Sequence, residues 1–205
     1  MRTKKEKILK HFNKADPKLE NIVQEIDYEK WFEDKNTGDS DLFKSLCRTI
    51  VGQQLAGAAA NAIYGRFEKL LSDQITPNNI LSIEPEKIRK AGLSWAKVRS
   101  VTDLSNKIYV GEIVLDNLPK LENQELIEKL VTVKGIGEWT AEMFLMFKMG
   151  KEDIFSWGDL GLRKGLIKFL EPENLTKELM EHRVSSWSPY KTYGAIAMWH
   201  LLDNR

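Results

Sequence analysis

The sequence has a single cysteine, three scattered histidines and no uninterrupted apolar run near the ~20 residues that a membrane span requires. One cysteine rules out an intramolecular disulfide, a four-cysteine zinc site and a cysteine-held iron–sulfur cluster within this sequence. Cys47 falls on the apolar stripe of Leu42, Phe43, Leu46, Ile50 and Val51, and so reads as a packing thiol rather than a nucleophile. His11, His182 and His200 lack metal-ligand spacing, so no metal site is expected from them. The first residues, MRTKKEKILKHF, are basic but have neither a long apolar core nor a small-residue cleavage site. No secretory signal is expected, and the expected location is the cytoplasm, with nucleoid association in a bacterial cell.

An excess of either charge is missing too. Lysine and arginine number 31 against 30 acidic residues, and a net charge of +1 neither favours nor excludes nucleic acid, because phosphate binding depends on where cations cluster. The N-terminal run of Arg2, Lys4, Lys5, Lys7, Lys10, Lys14 and Lys18 reads as a solvated helix face.

No strand pair stands out, and nearly every segment has apolar residues three and four apart. Helices are predicted near 4–14, 18–26, 41–52, 56–71, 84–91, 95–109, 122–132, 138–149, 159–170, 175–186 and 189–203. Val98, Val101, Leu104 and Ile108 share one face, as do Leu126, Ile127 and Leu130. Pro77, Pro85, Pro172 and Pro189 fall at or near predicted helix starts, where a missing N–H has no intrahelical partner to lose. The fold class is all-α.

The strongest local signal is LVTVKGIGEWTAEMFLMF, Leu130 to Phe147, where one amphipathic helix ends, Gly-Ile-Gly turns and a second helix begins. Gly135 and Gly137 can take positive φ and let a phosphate approach their N–H groups, while Ile136 plugs the turn into the core. The second helix adds the positive end of its dipole, and Lys134 adds a cation. Contacts of this kind grip the backbone without reading sequence, and they weaken with salt. A weaker second candidate is AGLSWAKVRSV, where Gly92 ends a helix, Ser94 caps the next, and Lys97 and Arg99 lie nearby. Downstream, in KEDIFSWGDLGLRKGL, Asp159 stands at the start of a helix, which by itself makes it an N-cap.

The hairpin, the following helix and an aspartate 22 positions after Gly137 together resemble the helix-hairpin-helix DNA glycosylase superfamily. IVGQQLAGAAANAI (Ile50 to Ile63) and GLSWAKVRSVTDLS (Gly92 to Ser105) resemble that family's earlier helices, so the likeness spans roughly residues 40 to 200. Strand-cutting members carry a lysine nucleophile two residues after the second hairpin glycine; here that position is Trp139. Gly-Ile-Gly-x-Trp-Thr-Ala at Gly135 to Ala141 and Gly-Gln-Gln at Gly52 to Gln54 are similar to the 3-methyladenine DNA glycosylase II branch.

That resemblance implies a monomeric enzyme of 205 residues, one compact unit with lobes at about 40–130 and 1–39 plus 150–205. The 130–149 helix-hairpin-helix joins them, and a base pocket is expected in the cleft between the lobes. It implies double-stranded DNA with a damaged base as partner, no cofactor, no membrane, and release of an alkylated purine to leave an abasic site. Asp159 is the catalytic residue implied. Trp139, Trp157 and Met143 are the expected base pocket, Met143 standing where some relatives have an aromatic residue. Lys134, Gly135, Ile136, Gly137, Thr140 and Lys97 are expected on the DNA backbone. Gln54 or Leu55, after the break at Gly52, is the expected wedge that fills the gap left by the extruded base. Two rivals remain open from the residues alone: a non-enzymatic DNA-binding module using the same hairpin, and a glycosylase for oxidised or deaminated bases.

Overall fold

The computed structural model describes residues 3–35, 41–170 and 175–203. In chain order the helices begin with α1 (Lys4–Ala15), α2 (Pro17–Glu25), α3 (Tyr28–Lys35), α4 (Leu42–Gly52), α5 (Gly57–Leu70), α6 (Pro77–Ser82) and α7 (Pro85–Lys90). They continue as α8 (Trp95–Tyr109), α9 (Asn123–Val131), α10 (Glu138–Phe147), α11 (Leu160–Leu170), α12 (Lys177–Ser186) and α13 (Lys191–Asp203), with a 3-10 turn at Leu115–Lys120 before α9. No strand occurs among the described residues, so the chain is all-α. Among those residues no helix is long and apolar enough to cross a membrane.

Several helix ends are written locally. Thr3 accepts the Glu6 N–H, and Glu6 accepts the Thr3 N–H in return, a reciprocal capping box that starts α1. Asp16 closes α1 and caps α2 with Pro17 in the first turn. Asp41, Thr76 and Ser94 cap α4, α6 and α8 in the same manner. Three elements were not predicted: α3, α6 and the 3-10 turn. Two are only six residues long, and α3 has charges scattered through its aromatic positions, so neither length nor periodicity marks them. Pro189 precedes α13 by two residues rather than starting it, and Pro172 lies outside the described residues.

The helices form two compact units, residues 36–144 and residues 1–35 with 145–205. In the first, α8 is the central element, packed on α4, α6 and α7, and it buries Val98, Val101 and Leu104 as the spacing predicts. In the second, α11 crosses α13 where Gly165 faces the backbone carbonyl of Met198. A Cβ on Gly165 would collide with that carbonyl, so the helices meet backbone to backbone. Beneath them Asp16 is fully buried, accepting from Trp187 Nε1 at 2.9 Å and from the Arg183 guanidinium at 2.7 Å. Arg183 Nε also lies 2.7 Å from Asp16 Oδ2, as an ion pair without the alignment of a hydrogen bond.

Candidate active site

Within residues 36–144 the hairpin follows α9, with Thr132 as the C-cap. Gly135 has φ +80°, and a side chain there would meet Ser100 Oγ on α8, so both its backbone shape and its neighbour demand glycine. Gly137 differs from expectation: its φ is not positive, and open space surrounds the position a Cβ would take. Its carbonyl accepts the Ala141 N–H at 3.0 Å, which makes it the N-terminal flank of α10. Ile136 is buried, as its role of plug requires. Asp103 on α8 holds the hairpin from below, accepting the Lys134 backbone N–H at 2.9 Å and pairing with its ammonium at 3.5 Å.

The segment between α4 and α5 is a tight turn facing this hairpin. Gln53 has φ −51° and ψ 133°, Gln54 has φ +56°, and the Leu55 N–H donates to the Gly52 carbonyl at 3.2 Å. These are the marks of a type II turn with glutamine where glycine or asparagine is usual. Turn and hairpin border an open cleft of about 540 Å³. Gln54, Leu55, Gly135, Trp139, Thr140 and Met143, expected in three different roles, all line it. Trp139 is 48% exposed, far from a core tryptophan. Lys97, expected on the DNA backbone, instead directs its ammonium at the Val51 and Gln53 carbonyls, 2.8 Å each, at the end of α4. Burial there pulls it below the ordinary lysine value.

Asp159 and Trp157 belong to the other unit. Asp159 caps α11 through Oδ1, which accepts the Leu162 N–H at 2.8 Å. The same oxygen accepts the Trp199 indole N–H from α13 at 3.0 Å. Trp199 is itself stacked on Trp31 of α3, ring centres 5.9 Å apart and 9° from parallel, and both touch Phe147. Trp157 leans on Phe155 at 4.8 Å and is half-buried. Reasoning from sequence missed Trp199 beside Asp159 with Trp31 and Phe147 packed on that indole, and it missed Gln53 beside the hairpin. Trp199 sits in an apolar run, Ala195 to Trp199, that reads as core throughout; its only distinguishing mark is a donor that must find a partner when buried.

With this geometry established, the likeness to known proteins can be placed. The family model for HhH-GPD superfamily base excision DNA repair proteins matches residues 47–189, which contain the turn, the hairpin and Asp159. A DNA-3-methyladenine glycosylase 1 of Schizosaccharomyces pombe is 33% identical over 162 residues, 77% of this chain and 71% of that protein. A DNA-3-methyladenine glycosylase of Saccharomyces cerevisiae is 35% identical over 84% of this chain and 62% of its own length. A solved structure of a Schizosaccharomyces pombe 3-methyladenine DNA glycosylase in complex with abasic DNA superposes with a TM-score of 0.67 at 28% identity. That match covers 94% of this chain and 95% of the other. The chain belongs to the HhH-GPD superfamily of base excision DNA repair proteins.

Proposed function

We infer that the protein is a monofunctional DNA glycosylase that hydrolyses the N-glycosidic bond of alkylated purines of the 3-methyladenine and 7-methylguanine type in duplex DNA. It acts as a monomer and leaves an abasic site. The reading is supported above all by Asp159, a carboxylate fixed by two donors to one oxygen. A plain helix cap needs only the first of them, and unlike the wholly buried cap Asp16 this carboxylate keeps access to solvent.

The hairpin N–H groups and the start of α10 bind backbone phosphates, the small Gly137 leaving them room to approach. Gln54 or Leu55, exposed at the tip of its turn, fills the gap as the damaged base is extruded. The extruded base carries positive charge, which the exposed indole face of Trp139 attracts, with Met143 lining the same cleft. As the bond to the base lengthens, the sugar becomes oxocarbenium-like, and Asp159 stabilises that charge and orients the attacking water. At ~4 Å and an effective dielectric of ~20 such a pair is worth roughly 4 kcal/mol, about a thousandfold in rate. A methylated purine is already a good leaving group, so no second acid is required, and Trp139 offers no amine for a Schiff base.

Incubation with methylated duplex DNA is expected to release free 3-methyladenine and 7-methylguanine. Asp159→Asn, which retains a cap oxygen, is expected to bind DNA and release nothing. Absence of release by the parent protein at high concentration would sink the reading, and borohydride trapping of a covalent complex would contradict the role given to Trp139.

A further inference from the structure

Gln53 is exposed to two different parts of the hairpin at once. Its side-chain amide donates to the Gly135 carbonyl at 2.9 Å and lies 3.3 Å from Thr140 Oγ1, in the first turn of α10. The Gly135–Ile136 peptide is thereby held at both ends, since the Ile136 N–H donates to the Val133 carbonyl at 3.0 Å. The backbone of Gln53 is clamped from a third side, its carbonyl and that of Val51 sharing the Lys97 ammonium. Next to this clamp stands Gln54 at φ +56°, a shape that a non-glycine residue keeps only when its surroundings over-determine it.

We propose that Gln53 is a positioning residue that locks the Gln54–Leu55 turn onto the hairpin, so that seating on the phosphates fixes how far the turn tip reaches into the base stack. This rests on the reading of the protein as a base-extruding glycosylase. Three tethers from α8, α10 and the hairpin converge on one turn whose tip carries no buried side chain. A turn that only joined α4 to α5 would need none of them. The coupling has a specific signature. Losing it leaves the phosphate grip and Asp159 intact and weakens only the step that pushes the base out, a step whose difficulty depends on how well the base is paired.

Gln53→Met keeps the length of the side chain and removes its donor. It is to be compared with the parent protein in single-turnover release of 7-methylguanine from two duplexes, one with the lesion paired to cytosine and one with it opposite an abasic analogue. The expected result is about a tenfold loss on the paired lesion, less than about threefold on the unpaired one, and affinity for undamaged duplex within about twofold. Equal losses on both duplexes, or none, overturn the proposal. Lys97→Met tests the clamp from the other side and serves if Gln53→Met does not fold. The same paired-selective loss is expected with the salt dependence of binding unchanged, whereas a salt slope lower by about one would assign Lys97 to a phosphate and overturn the clamp. Failure of the parent protein on both duplexes would overturn the glycosylase reading itself, a result distinct from a parent that is active on both and a variant that does not discriminate.

Discussion

Trp199 donates its indole N–H to Asp159 Oδ1 at 3.0 Å, across 40 positions of sequence and from a different helix. The oxygen it reaches is the one that also caps α11, so one atom is fixed from its own helix and from α13. Trp199→Phe keeps a ring to stack on Trp31 and removes only the donor. A hydrogen bond to a charged group is worth about 1.5–3 kcal/mol, so base release is expected to slow by roughly ten- to a hundredfold while DNA affinity holds. Single-turnover release beside fluorescence anisotropy separates the two; a loss confined to affinity would contradict this role for Trp199.

The two hairpin glycines are expected to respond differently to the same change. Gly135→Ala forces a side chain to positive φ against Ser100 and should cost stability by about 1–2 kcal/mol, seen as a lower Tm. Gly137→Ala meets nothing in the free protein and should cost no more than about 1 kcal/mol. Its DNA affinity should nevertheless fall, because the new methyl occupies the space a phosphate would use. Equal affinity for Gly137→Ala and the parent protein would remove Gly137 from the phosphate site.

Asp16 is an aspartate with a purely architectural role. It is wholly buried and serves Arg183, Trp187 and the start of α2 together. Asp16→Ala strands the Trp187 donor and part of the Arg183 charge, and is expected to destabilise the fold by about 3 kcal/mol. Chemical denaturation measures this directly, and a change below about 1 kcal/mol would mean that the two donors find other partners.

Alkaline pH should loosen the unit that contains Asp159. Tyr193 is pushed up to about 12, first by burial and then by its hydrogen bond to Glu152, with Lys4 opposing. Tyr28 is raised as well, first by partial burial and then by the neighbouring Tyr193. Unfolded phenols ionise near 10, so above ~10 the unfolded chain sheds protons that the folded protein retains. Stability is therefore complete below about pH 10 and falls as pH rises through the folded values. Tyrosinate absorbance of the folded protein at about pH 11 should fall short of the value for full ionisation, Tyr28 and Tyr193 staying largely protonated; complete ionisation without unfolding would refute this.

Much of this was legible in the sequence because it is local. Helices of nine residues or more announced themselves by apolar spacing, and Gly-Ile-Gly between two of them marked the hairpin. What escaped was set by contacts between distant segments. Asp159 looked like a cap because its second donor lies on α13, and nothing in the spacing of Tyr193 to Trp199 singles out an indole that leaves the core. Gln53 was visible only as part of Gly-Gln-Gln. Its distinction from Gln54, one anchoring and the other at positive φ, exists only once the turn has formed. Lys97 looked like a free cation because the carbonyls that hold it are 44 and 46 positions away.

On the role proposed for Asp159, Gly165 against the Met198 carbonyl sets a tolerance for the chemistry without taking part in it. The helix that Asp159 heads and the helix that carries its indole donor approach closely at Gly165, where the Met198 carbonyl leaves no space for a side chain on Gly165. Their separation is consequently a fixed gauge rather than an adjustable fit. An added methyl at Gly165 would move the donor off the carboxylate while every residue around Asp159 kept its identity. Enzymes tuned in this way lose rate through substitutions that a search confined to the site would never consider.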